Sequence, residues 1–154
     1  MRSLVRLLMA AGLSLVALST LAETQWLEAE LAGEAFRLER VADPESRRQG
    51  LMGRTHLAEN EGMLFDFPAG TVPAIWMHNM VISLDLLYLD GDGRIAYIFA
   101  DVPPCASLPC DVYQASEPLR FVLELAAGSA ERLKLQRGQR LDLGAALEQP
   151  VPDY

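Results

Sequence analysis

The chain has 154 residues, a formal charge of −8 from 13 Lys and Arg against 21 Asp and Glu, and two cysteines. That length holds one domain with a single core. The acidic balance argues against nucleic acid and anionic lipid as partners, because both need clustered Lys and Arg.

The N-terminus reads as a targeting segment. Arg2 and Arg6 form a basic n-region and Leu7 to Leu18 an apolar h-region. Thr20-Leu21-Ala22 then offers small side chains at the −3 and −1 positions before Glu23, the pattern of a signal peptide over residues 1–22. The h-region falls short of the ~20 residues that span a bilayer. The expectation is a periplasmic or secreted protein with no stable membrane span after cleavage. The leader holds two Arg and no acid, so its removal would take the charge from −8 to −10.

Gln25–Leu31 and Ala35–Val41 alternate apolar and polar residues around Ala32-Gly33-Glu34, which predicts a hairpin. Asp43-Pro44-Glu45 supplies an N-cap, a first-turn proline and an acid at the positive end of the dipole, so a short helix should run to Leu51 or Met52. Arg47, Arg48 and Arg54 form the one dense basic patch, read as a solvated helix face. Met63, Phe65 and Phe67 face one way and Leu64 and Asp66 the other in a strand ended by Pro68. Strands are expected over Ile75–Met80, Leu84–Leu89 and Ile95–Phe99, the last two joined by an Asp90–Gly93 turn.

Pro103 to Pro118 reads as a long irregular segment, of a length at which loops are often functional. Within it, Cys105 and Cys110 are read as a disulfide, the simplest use of a close pair in an exported chain. So short a loop stabilises by about 2 kcal/mol before strain. Leu119–Leu125 is a strand, Ser129 is expected to cap a helix reaching Leu135, and Gln139–Leu143 is a final strand. One domain over residues 23–143 and a loose tail over 144–154, with Pro150 and Pro152, complete the organisation. This order, without βαβ alternation, predicts a mainly β fold, an antiparallel two-sheet sandwich with two short helices.

The chain lacks H-E-x-x-H, G-x-S-x-G, P-loop and C-x-x-C patterns. Asp85 draws attention because Leu84, Leu86 and Leu87 flank it. A buried carboxylate needs a partner. Arg54 or Arg48, helped by Asn79, is the natural one, fastening the first helix to the sheet. A sharper reading gathers Arg54, Trp76, Asn79, Asp85, Tyr113 and Ser116 around one pocket for a small polar or sugar-like ligand. An enzymatic alternative pairs Asp85 with Glu124 or Asp66, since glycoside hydrolysis uses two carboxylates ~5–9.5 Å apart. A third reading takes Met52, Met63, Met77 and Met80 with His56 and His78, in an exported chain that also holds Trp76, as soft ligands for Cu(I). An extended Trp76–Met80 would turn Met77 away from His78 and Met80, so no metal or cofactor is assigned.

Five stretches in this order, R48-Q-G-L-M-G-R54, G62-M-L-F-D-F67, W76-M-H-N79, L84-D85 and V122-L-E-L125 before Gly128, resemble the DUF192 family. The resemblance covers Ala35 to Leu143. It implies a β-sandwich of jelly-roll type and no activity. Two positions depart from the family's W-M-K-N-T, with His78 for Lys and Met80 for Thr. The reading reached from sequence is therefore an exported envelope protein, a non-enzymatic small-ligand-binding or accessory module.

Overall fold

The Leu84–Leu89 run is apolar at every position but Asp85, a pattern that suits a strand covered on both faces. In the computed structural model, which describes residues 25–153, all six of its residues are buried. The expected leader lies outside the described residues.

The chain forms β1 (Gln25–Leu31), β2 (Glu34–Val41), α1 (Pro44–Gln49), β3 (Glu61–Asp66), β4 (Ala74–Trp76), β5 (Leu84–Leu89), β6 (Ile95–Val102), β7 (Val112–Gln114), β8 (Phe121–Ala126) and α2 (Ser129–Arg132). A six-stranded sheet has the order β1-β2-β3-β8-β5-β6, and β4 pairs with β7 in a two-stranded sheet. The fold is thus mainly β, with two sheets and two short helices, and neither sheet is closed. Not every pair is antiparallel as expected: β2 and β3 run parallel. The chain from Ala42 to Asn60, including α1, makes the crossover that a parallel pair requires.

The large sheet is covered on both faces. On one, Leu38, Leu64, Leu87, Leu123 and Leu125 pack under α2 and the chain from Leu133 to Ala146. On the other, Met63, Phe65, Leu86, Tyr88 and Val122 pack under Leu51, Ile75, Met80 and Ala115. Burying strands of about six residues on both sides removes the polar-apolar alternation that reveals which way a side chain points. No helix among the described residues is long and apolar enough to cross a membrane.

Local chemistry explains the helix ends. Asp43 Oδ1 accepts the Glu45 and Ser46 N–H groups at 3.0 and 2.9 Å, the cap expected from sequence. The helix stops at Gln49 because Gly50 takes φ 48, where an added Cβ would lie 3.1 Å from the Phe65 ring. Arg47 does not sit on a solvated face: its guanidinium donates to the Ala42 and Asp66 carbonyls and lies over Phe67. Ser129 is a buried residue inside α2 rather than its cap, since Gly128 takes the cap position without a side-chain bond.

Four further expectations are corrected. The Ile75–Met80 strand ends at Trp76, because Asn79 adopts a left-handed φ of 58°. The Pro103–Pro118 segment is not wholly irregular, since besides the expected Cys105–Cys110 disulfide it contains β7, held to β4. Gln139–Leu143 forms no strand, touching Arg94 and Glu30 through single bridges only. The tail carries a 3-10 helix over Gly144–Glu148, with Ala146 fully buried and the Gln149 carbonyl accepting from Arg120 at 2.8 Å. Small apolar residues there complete the core behind β1.

Candidate functional site

The position of Glu124 follows from strand parity. Along β8, Phe121, Leu123 and Leu125 join the core under α2, so Val122 and Glu124 face the opposite side. The register sets Glu124 beside Met63 of β3 and Leu86 of β5, both apolar. Glu124 is 4% exposed, and no described residue donates a hydrogen bond to its carboxyl group.

Above it lies a cavity of about 310 Å³, at the small end of ligand sites. Its floor is Glu124. Its walls are Leu51, Met52, Phe65, Ile75 and Met80, and its mouth carries Arg48 and Trp76. The gap exists because α1 ends at Gly50 and β4 is only three residues long, leaving the sheet uncovered between them.

Burial alone pushes the Glu124 carboxyl up to about 8. It is therefore mostly protonated at neutral pH, able both to donate and to accept. Behind it, burial raises the Tyr88 phenol, opposed by a backbone hydrogen bond from Ile75 and helped to a smaller degree by Glu124; its hydroxyl donates to the Tyr113 carbonyl at 2.5 Å.

Other buried acids are satisfied from within. Asp66 is held by Arg40 at 2.7 Å and Arg120 at 2.9 Å. Glu39 pairs with Arg54. Asp85 accepts the Asp101 N–H at 2.8 Å and the Ala130 N–H at 2.7 Å. The first bond pins a register shift between β5 and β6, where Asp101 takes φ 51, and the second supplies the cap that α2 lacks.

The expected pairing of Asp85 with Arg54 or Arg48 is thus corrected. Leu84 and Leu86 pack on the cavity side, so Asp85 between them points to the α2 side. The six candidate ligand residues do not converge, and only Trp76 among them lines the cavity. Asn79 forms a left-handed turn whose carbonyl accepts the Gly53 N–H at 3.1 Å. Tyr113 contributes its carbonyl to Tyr88 and packs edge-to-face with Phe99, while Ser116 bonds Tyr97 and Glu117.

The Cu(I) set is also scattered. Met63 and Met77 are buried in the core, Met52 and Met80 line the cavity, and His78 lies tilted against Trp76 with ring centroids 5.0 Å apart. His56 is exposed and is not among the cavity residues. Among the described residues no cluster of three His, Cys, Asp or Glu could hold a metal. Glu124, offered by the sequence only as a second carboxylate, is the acid at the cavity floor. Its one sequence signal is an acid between Leu123 and Leu125.

The comparisons agree with this architecture and add no activity. A family profile described as "Uncharacterized ACR", DUF192, matches residues 27–143. A crystal structure from Sinorhizobium meliloti 1021, described as a "putative transcription regulator", is 34% identical over 76% of this chain and 91% of its own, with a TM-score of 0.68. A protein of unknown function from Novosphingobium aromaticivorans DSM 12444 is 30% identical over 86% of this chain and 94% of its own, also with a TM-score of 0.68. Comparison with curated proteins finds no match.

Proposed function

The chain belongs to the DUF192 family, and since that membership carries no activity, we propose from its own geometry that it is an exported, non-enzymatic module binding a small ligand in the Glu124 cavity. One observation carries the reading. Glu124 is buried at the floor of an apolar cavity without a donor from the described residues, unlike Asp66, Asp85 and Glu39. A carboxyl group that burial desolvates, and to which no described residue donates, is costly to keep, so its retention at a cavity floor is understandable if a ligand supplies the donor.

The ligand suited to these walls has an apolar body and one buried polar end, rather than the many hydroxyls of a sugar. A two-carboxylate enzyme fits less well. Asp85 and Glu124 occupy offset positions on neighbouring strands and point to opposite faces, and Asp66 is held by two arginines. A regulator that reads nucleic acid fits poorly with a formal charge of −8. The six-stranded sheet faced by the β4–β7 ribbon supports a sandwich of jelly-roll type, with the cavity between its layers. The basic and apolar leader at residues 1–22 supports export.

The test is a thermal-shift screen of small amphiphiles against the exported protein. Trp76 fluorescence in a Trp26→Phe background serves as a site-specific second readout. A compound that fits should raise the melting temperature and alter Trp76 emission saturably, and Glu124→Leu should remove both effects. If responding compounds act equally on the Glu124→Leu variant, the cavity is not the binding site.

A further inference from the structure

We infer that the cavity takes the ammonium end of an amphipathic amine, with Glu124 as its buried counter-ion and Trp76 and Phe65 against its apolar stem. This rests on the cavity reading above and narrows it to a ligand class.

The polarity of the site decides the class. The carboxyl group at the floor can accept from a ligand, and no described residue competes for it. An anionic head would meet it with like charge once ionised. A neutral hydroxyl would gain a single hydrogen bond there. An ammonium would gain a charge-assisted hydrogen bond and an ion pair in surroundings of low polarity, where both are strongest.

The groups around Glu124 do not supply that positive charge. Met63 and Phe65 face it from β3, Leu86 and Tyr88 from β5, and Ile75 from β4, with the exposed Trp76 at the rim. The Tyr88 hydroxyl is committed to the Tyr113 carbonyl. Beyond Met63 in the same row, Glu39 is neutralised by Arg54. From α1, Arg47 also lines the cavity; burial lowers its pKa, Asp43 and Asp66 partly offset that, and its guanidinium is engaged with the Ala42 and Asp66 carbonyls. Arg48 is exposed at the mouth, where water and salt screen it. A single positive charge is therefore accommodated at the floor, and a second one at the mouth would be opposed by Arg48.

The walls suit the rest of such a ligand. Trp76, 46% exposed, stands at the rim of the cavity, and Phe65 adds a ring deeper in. Aromatic faces attract ammonium groups and alkyl stems alike. A cavity of about 310 Å³ is roughly twice the ~150 Å³ that accepts benzene, enough for a stem of about six carbons.

Binding a cation to a carboxyl group that is protonated when alone must release a proton, which makes the proposal testable against its neutral rival. Hexylammonium, 1-hexanol and hexanoate differ only in the polar end. Each is titrated into the full exported protein by calorimetry from pH 6 to 9, in two buffers of different ionisation enthalpy. Hexylammonium stays charged across that range, as alkylammonium groups lose their proton near pH ~10. Its affinity should rise roughly tenfold per pH unit up to about pH 8 and then level off, with close to one proton released per ligand at the acid end. Hexanol and hexanoate should bind at least about tenfold more weakly at pH 8. Glu124→Gln should lose the proton release and most of the preference for the amine, and denaturant melts at pH 6 would verify that it is folded.

Hexanol binding as tightly as hexylammonium at pH 8, with no proton release, would overturn the amine proposal and leave the cavity reading standing. If none of the three binds, the amine proposal fails, and the screen described above then decides separately whether the cavity binds anything at all.

Discussion

Replacing Glu124 by Gln should stabilise the protein at alkaline pH and leave it nearly unchanged at acid pH. The two side chains are close to isosteric, and the substitution removes only the capacity to ionise. Burial raises the carboxyl from its ordinary 4.5 to about 8. The folded protein therefore holds this proton over a range in which the unfolded chain has released it. Where the native state binds more protons than the unfolded state, stability falls as pH rises. The wild type should thus lose stability between about pH 4.5 and 8 through this group and reach a plateau above it.

At ~1.4 kcal/mol for each tenfold change in proton affinity, that loss has an upper bound of roughly 4–5 kcal/mol. Water entering through the open mouth would reduce it. The assay is urea denaturation of wild type and Glu124→Gln at pH 5 and pH 9, without ligand. The other titrating groups are common to both proteins and cancel in the difference. The variant should match wild type at pH 5 and exceed it by at least about 1–2 kcal/mol at pH 9, a sizeable share of the ~5–15 kcal/mol typical of small domains. An equal difference at the two pH values would refute the placement of Glu124 as a desolvated acid.

Four other substitutions probe the scaffold around the site. Asp85→Asn should cost about 1–3 kcal/mol, because its amide nitrogen would face the Asp101 or Ala130 N–H that a carboxylate oxygen now accepts. Arg54→Met should add independently to it in a double variant, and a variant that melts at or above wild type would count against the cap role. Asp66→Asn should cost more, about 3–5 kcal/mol, by leaving the partly buried Arg40 and Arg120 without their shared anion; urea midpoints measure it, and a loss below ~1 kcal/mol would make the cluster marginal. Gly144→Ala places a Cβ 2.1 Å from the Glu28 carbonyl oxygen at φ 56, so it should release the 3-10 helix from β1. Limited proteolysis should then cut near residues 144–148 before the domain unfolds, and an unchanged cleavage pattern would contradict that docking.

Local chemistry in the sequence was enough to determine several features. Asp43-Pro44-Glu45 sets the start of α1, because a cap, a fixed φ and an acid act within one turn. Ala32 and Gly33 turn the β1–β2 hairpin at φ 53 and 85, and the close cysteines meet in a disulfide. The ordered motifs identified the family, and the apolar run around Asp85 showed that this acid is buried.

What only the tertiary structure decided is direction and partnership. With both faces of β3, β5 and β8 buried, apolar residues fill odd and even positions alike, and sequence alone cannot say which face an acid joins. Strand register puts Asp85 under α2 and Glu124 at the cavity floor. The crossover that makes β2 and β3 parallel sets Glu39 near Arg54, giving that arginine a partner other than Asp85. These outcomes depend on groups far apart in the chain and on a side-chain period of two, so a single step of register reverses them.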